Sequence, residues 1–187
     1  MKILYLITKP DRGGAQTNVL ALATGLSAQG HQVTVGTGHQ GWLTQELNMD
    51  FVIFKHLHRS LNPLSGIFYI FELRRFLNQN HFDLVHFHSS NSLIGVLGAL
   101  GLADKPKTVA TIHGLSILHP GWKKLHLIKT VYARVMKFLL KYFDRVIFVC
   151  AADKKFALNF QLVKPEQARM IYNGIDPNIK FLSRSDA

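Results

Sequence analysis

Three short runs place groups that can bind an anion or exchange a proton at positions where the chain must turn. Residues 9–16 read Lys-Pro-Asp-Arg-Gly-Gly-Ala-Gln, residues 86–90 read His-Phe-His-Ser-Ser, and residues 111–114 read Thr-Ile-His-Gly. In the first, Gly13 and Gly14 let the backbone come close to a ligand. Ala15 and Gln16 open a predicted helix, whose free N–H groups and positive end suit a phosphate or diphosphate. The run matches neither G-x-G-x-x-G nor G-x-x-x-x-G-K-[ST], so neither a dinucleotide fingerprint nor a Walker loop is supported. A plain glycine turn feeding a helix accounts for the same residues.

The histidine runs close predicted strands. Alternation along a strand puts His86 and His88 on one face, at an end from which side chains reach a cleft. Two histidines at this spacing can hold a metal, but no Asp, Glu or Cys nearby completes a set, so hydrogen-bonded structural or cleft-lining histidines are expected. His113 is the strongest of the ten histidines as a chemical group. It ends a strand, and Gly114 after it permits a sharp exit and leaves room for a ligand. An imidazole there can orient a sugar hydroxyl or exchange a proton near neutral pH. A turn histidine satisfied by backbone is the plainer alternative.

The elements that must hold these runs alternate along the whole chain. Short β-prone segments are predicted at 2–8, 32–36, 51–54, 84–88, 108–112, 145–149 and 169–172. Helices are predicted at 16–28, 63–80, 92–102, 125–143 and 153–160, with a short one after Trp42. Alternation of this kind defines a mostly parallel sheet of about seven strands in a Rossmann-like, three-layer α/β/α domain. Gly30 is the expected stop of the first helix. Near the C-terminus, Ile-Tyr-Asn-Gly-Ile-Asp-Pro at 171–177 predicts a buried strand ending in a tight turn at Asn173 and Gly174.

Of 187 residues, 48% are hydrophobic, enough for a substantial single core and against disorder. The lone cysteine, Cys150, excludes an internal disulfide framework; it follows the apolar run 146–149, where a packed thiol in a reducing cytoplasm is expected. The first apolar stretch is too short for a signal peptide and runs into Lys9, Asp11 and Arg12. No stretch reaches the roughly 18 to 20 apolar residues of a membrane-spanning helix, so membrane contact would be peripheral.

Lys and Arg number 22 against 11 Asp and Glu, a net charge of +11, which points to a polyanionic surface or substrate. The imbalance peaks between Lys105 and Phe143, where no acidic residue occurs. On a helical projection Lys123, His126, Arg134, Lys137 and Lys141 share one arc, and Lys124 is a further residue of the candidate anion or membrane patch. Leu125, Ile128, Val131, Tyr132, Val135, Met136, Leu139 and Phe143 share another, expected to enter the core. The basic arc is either a solvated face or a patch for anionic lipid. A second segment, 55–75, joins His56, His58 and Arg59 to the aromatic run 67–71, and its periodicity fits a buried helix and an interfacial one equally. Nucleic-acid binding rests on charge alone, since no reading motif is present.

In chain order, Gly13-Gly14-Ala15, the run 30–35 (Gly-His-Gln-Val-Thr-Val), the run 83–89 (Asp-Leu-Val-His-Phe-His-Ser), Thr111-Ile112-His113-Gly114 and the run 171–176 resemble the N-terminal half of retaining GT-B glycosyltransferases, specifically glycosyltransferase family 4. The resemblance spans nearly the whole chain. It implies two facing Rossmann-like domains, with residues 1–172 forming the acceptor-binding one and 173–187 starting a linker to a donor-binding one. It further implies transfer of a sugar from a nucleoside diphosphate sugar to a hydroxyl, with retention and without a metal, on an acceptor that is a polysaccharide or lipid-linked. His113 would contact the sugar near the reacting centre. Gly13, Gly14, Ala15, Gln16, His88, Ser89 and Gly114 would bind phosphate or acceptor, and Asn173 and Gly174 would mark the passage to the donor side. The family's C-terminal acidic motif has no counterpart in these residues, so the chain alone is expected to be inactive. Its end at residues 181–187 shows no structural stop. The alternative is a free-standing binding module that recruits a donor-binding chain or an anionic membrane.

Overall fold

A computed structural model of the chain describes residues 1–59, 63–115, 118 and 126–174. Seven parallel strands form one sheet: β1 (Lys2–Leu6), β2 (Gln32–Thr37), β3 (Phe51–Ile53), β4 (Leu84–Phe87), β5 (Lys107–Ile112), β6 (Arg145–Phe148) and β7 (Ala168–Met170), in the order β3-β2-β1-β4-β5-β6-β7. The helices are α1 (Gly14–Ala28), α2 (Trp42–Glu46), α3 (Pro63–Gln79), α4 (Val96–Ala99), α5 (His126–Leu140) and α6 (Ala151–Asn159). The order runs outward from β1 in one direction through β3 and then restarts on its other side with β4. The crevice between the carboxyl ends of β1 and β4 is therefore the switch point, where sheets of this type bind ligands.

The strands alternate between two cores. Ile3, Tyr5, Ile7, Val33 and Val35 pack with Val19 and Ala23 of α1 and Leu43 of α2. Leu4, Leu6, Val85, Phe87, Ala110, Ile112, Val146 and Phe148 face α3, α5 and α6 through Tyr69, Leu73, Met136, Leu139 and Ala157. On the α1 side this cover thins beyond β4. Val109 and Ile147 are only half-buried there, and Arg145 and Arg169 are exposed.

Local chemistry explains the boundaries. Gly30 stops α1 at φ 84°, with its N–H on the Ser27 carbonyl at 3.0 Å and that of His31 on Leu26 at 3.1 Å, a Schellman closure. The amino edge of the sheet is pinned by carboxylates. Asp83 accepts the Lys2 N–H at 2.6 Å, and Asp144 accepts the N–H and hydroxyl of Thr108 at 2.8 and 3.0 Å. Burial raises the Asp144 pKa, but the Thr108 bonds and then Lys107 outweigh it, and the carboxyl ends below its usual value.

Four expectations are corrected. The helix predicted at 92–102 is broken into a 3₁₀ turn (Leu93–Gly95) and the short α4. Here Gly95 and Gly98 press against α3, and a Cβ on Gly98 would sit 2.7 Å from the Ile70 carbonyl oxygen. Cys150 is exposed at the start of α6 rather than packed, because β6 has already ended at Phe148. The last strand ends at Met170, leaving Ile171 and Tyr172 54% and 69% exposed. Gly174 has no left-handed φ.

The fourth concerns α5. Met136 and Leu139 are buried as expected, but Ile128, Val131 and Val135, assigned to the core arc, are 46–50% exposed, and Leu127 and Phe138 join them. The apolar arc is wider than the sheet can cover, and the neighbouring layer, the 3₁₀ turn and four-residue α4, is too short to cover the rest. Arg134, Lys137 and Lys141 are exposed beside this stripe, with the Lys141 ammonium 4.6 Å from the Phe138 ring centre. Lys123, Lys124 and Leu125 lie outside the described residues. In the aromatic run of α3, Tyr69 is buried while Ile67, Phe68 and Phe71 are exposed. Among the described residues no helix is long and apolar enough to cross a membrane.

Candidate functional site

The glycine loop leaves β1 at the switch point. Gly13 has extended backbone and caps α1, its carbonyl accepting the Thr17 N–H at 2.9 Å. The helix starts at Gly14, so Gly14, Ala15 and Gln16 form its first turn, whose N–H groups have no partner within the helix. The Gln16 side chain folds back to donate to the Lys9 carbonyl at 2.9 Å, and its amide oxygen occupies the space a Cβ on Gly13 would need. Gln16 thus shapes the loop instead of pointing into the crevice. Leu43 of α2 donates to the Pro10 carbonyl at 2.8 Å, fixing the loop's other side. A Cβ on Gly14 would meet nothing within 4 Å. The fold does not need glycine there, and the space is open to a ligand.

Across the crevice, Ser89 follows β4. Its hydroxyl lies 2.5 Å from the Thr8 hydroxyl and accepts the Thr8 N–H at 3.1 Å. The loop after Ser89 is closed by buried Ser92, whose hydroxyl donates to the Ser89 carbonyl at 2.8 Å. Ser89 therefore joins the two strands of the switch point. Thr8 and Ser92 are absent from the sequence-predicted site because hydroxyls in a strand exit and a turn carry no distinguishing pattern.

His86 and His88 do lie on one face, with ring centres 4.1 Å apart, and Tyr5 of β1 sits 5.3 Å from each. The His86 Nε2 is 2.7 Å from the Thr111 hydroxyl, and the His88 Nδ1 is 3.1 Å from the His113 Nε2. Three histidines and a threonine thus run from the buried β4–β5 pair to the carboxyl edge, where His113 is half-buried. Burial lowers all three. His86 is pushed down to about 3 by burial and then by His113, and His88 falls well below 6.5 by burial and then by His86 and His113. His113 is lowered by burial. The cluster is neutral at physiological pH, so its ring nitrogens act as hydrogen-bond donors and acceptors. Among the described residues no group of three His, Cys, Asp or Glu is placed to hold a metal ion. Gly114, like Gly14, has open space where a Cβ would project. Asn173 and Gly174 are exposed after β7.

The arrangement defines a doubly wound α/β domain with a bare helix N-terminus, an opening at Gly14 and a neutral imidazole chain converging on one switch point. The family model for Glycosyltransferase Family 4 matches residues 12–179, and the chain belongs to that family. It is 30% identical over 122 residues to the UDP-Gal:alpha-D-GlcNAc-diphosphoundecaprenol alpha-1,3-galactosyltransferase of Escherichia coli, a match covering 64% of this chain and 30% of the relative. Anabaena Alr3699/HepE, solved in complex with UDP and glucose, superposes with a TM-score of 0.74 at 20% identity, covering 99% of this chain and 47% of that one. A glycosyltransferase from Rickettsia africae ESF-5 superposes at 0.71 and 19% identity, covering 94% and 43%. The chain thus spans less than half the length of these relatives, and its sheet has the Rossmann-like form of one half of a GT-B glycosyltransferase.

Proposed function

We propose that this chain is the acceptor-side half of a retaining glycosyltransferase that moves a sugar from a nucleoside diphosphate sugar to a hydroxyl of a lipid-linked or polysaccharide acceptor. A second domain, to which residues 173–187 begin the linker, supplies the grip on the donor. The observation that carries this reading is the juxtaposition at the switch point of the open α1 N-terminus with the Ser89 and His113 exits. One side offers N–H groups to a diphosphate, the other a neutral imidazole to a sugar. The E. coli relative's name specifies a nucleoside diphosphate donor and a diphosphate-linked prenyl acceptor, which supports both halves of the assignment.

In the proposed reaction the bond between the anomeric carbon and the donor diphosphate breaks, and a bond to the acceptor oxygen forms on the same face. The acceptor proton passes to the departing diphosphate, so no separate carboxylate base is needed. Negative charge growing on that diphosphate is met by the N–H groups of Gly14, Ala15 and Gln16, an electrostatic stabilisation made strongest in the transition state. His113 orients the sugar. No metal takes part in this reaction, and the nucleotide sugar is a substrate. The exposed stripe of α5 with Arg134, Lys137 and Lys141 holds the enzyme to the anionic cytoplasmic face of a membrane, where a lipid-linked acceptor resides.

The test is transfer by the complete protein containing this chain, with a panel of nucleotide sugars and a polyprenyl diphosphate-linked sugar acceptor, the product anomer being read by NMR. Transfer with the donor's anomeric configuration, reduced by roughly 10²-fold or more in His113→Ala, is expected. Inversion, or full activity in that variant, would sink the proposal.

A further inference from the structure

The contact between His88 and His113 has a chemical direction. His88 is 1% exposed, its ring packed against both Tyr5 and His86, and its two nitrogens have different fates. Nδ1 faces the His113 Nε2 at 3.1 Å, whereas Nε2 is buried and meets no hydrogen-bonding atom among the described residues. A single proton bridges Nδ1 and Nε2, and each neutral imidazole carries one proton, so two arrangements exist. If His113 donates from Nε2, the proton of His88 must sit on its own Nε2, creating a buried N–H with no acceptor. If His88 donates from Nδ1, its Nε2 is a bare lone pair. Orphaned buried N–H groups are rarer and more costly than under-used acceptors, which favours the second.

We propose that His88 is a positioning residue that locks His113 in its Nδ1–H tautomer, making His113 a hydrogen-bond donor rather than a proton acceptor at the crevice. Its Nε2 is filled by the His88 N–H, so the only nitrogen left to engage a ligand carries a proton. Accepting a bond at Nε2 also polarises the ring and strengthens donation from Nδ1. The ligand class this fits is an oxygen acceptor, a sugar hydroxyl or a diphosphate oxygen. His86 supports the lock from beneath, its own Nε2 being held by Thr111 at 2.7 Å. The crowding of three imidazoles disfavours a second proton, so the pair stays neutral. The catalytic use of this donor rests on the glycosyltransferase reading above, but the tautomer itself does not.

Long-range ¹H–¹⁵N correlation on the histidine-labelled protein at neutral pH reads the ring nitrogens directly. The expected result is a protonated-type Nδ1 and a bare-type Nε2 for both His88 and His113; a protonated Nε2 on His113 overturns the lock. His88→Asn supplies a replacement N–H donor near Nδ1, and His88→Phe keeps ring volume without one. The Asn variant is expected to retain the His113 tautomer and most transfer activity. The Phe variant should release the tautomer and lower kcat by about 10- to 100-fold, by analogy with the loss when a partner orienting a metal-bound imidazole is removed. Where His113→Ala is impaired, equal activity of both variants would also overturn the lock, and the wild-type spectrum decides if the Phe variant does not fold. A correct tautomer with full activity in His113→Ala would leave the lock standing and remove only the proposed function.

Discussion

The Ser89 hydroxyl lies 2.5 Å from the Thr8 hydroxyl and accepts the Thr8 backbone N–H at 3.1 Å, so one small side chain pins β1 to β4 at the point where the strand order reverses. Ser89→Ala strips the acceptor from an N–H in a residue only 5% exposed. The expected loss is about 1–3 kcal/mol in urea denaturation, the cost of an unsatisfied buried donor. A variant as stable as the parent would mean that the crevice is held together by other contacts.

Acid should weaken the fold well above the carboxylate range. The folded pKa values of His86 and His88 lie below the ordinary 6.5, so below that pH the unfolded chain binds more protons than the folded one. Stability is complete above pH 6.5 and declines as pH falls through the histidine range, by at most about 1.4 kcal/mol per pH unit for each histidine. For His86 the decline continues to about pH 3. Denaturation midpoints measured from pH 7.5 to 4.5 should show this slope. In His86→Gln it should be shallower by about that single-proton amount; an unchanged slope would show that His86 titrates as if free.

At Gly14 stability and function should part company. The residue occupies the first helical position of α1, without a left-handed φ and with nothing within 4 Å of a Cβ. Gly14→Ala is expected to raise stability by up to about 1 kcal/mol through helix propensity. The added methyl would occupy the ligand's approach to the loop. Binding of a nucleoside diphosphate to the complete protein should weaken by roughly tenfold, about 1.4 kcal/mol, measured by calorimetry. Unchanged affinity would place the diphosphate elsewhere.

The α5 surface predicts a two-part membrane response. Charge reversal at Arg134, Lys137 and Lys141 should weaken binding to anionic vesicles by about 1 kcal/mol per residue, and salt should have the same effect. The paired change Val131→Ser and Phe138→Ser leaves every charge in place, yet should weaken binding at low salt as well, because both side chains are about half exposed and available for insertion. Wild-type binding by the Ser pair would confine the contact to electrostatics.

Much of the sheet was legible in the residues. All seven strands formed within one or two residues of their predicted spans, because a short β-prone run bounded by turn residues declares itself by composition. Gly30 ended α1 because a left-handed φ strongly favours glycine. The helix at 92–102 was misread because periodicity registers apolar spacing and says nothing of the close approach to α3 that Gly95 and Gly98 accommodate. The buried assignment of Val131 and Val135 failed for a related reason. A projection gives the width of an apolar arc, whereas the width covered depends on the neighbouring layer.

By itself, the sequence determined the parallel α/β class, the placing of Gly14, His88 and His113 at strand exits, and the excess of positive charge, since each follows from residue type and spacing along the chain. Only the tertiary structure decided that β4 lies beside β1, that Ser89 meets Thr8, and that the His88 Nδ1 faces the His113 Nε2. Those facts depend on strand order and register between segments 25 to 81 residues apart. No local periodicity encodes them; they are fixed by which pairing buries both apolar faces of the sheet at once.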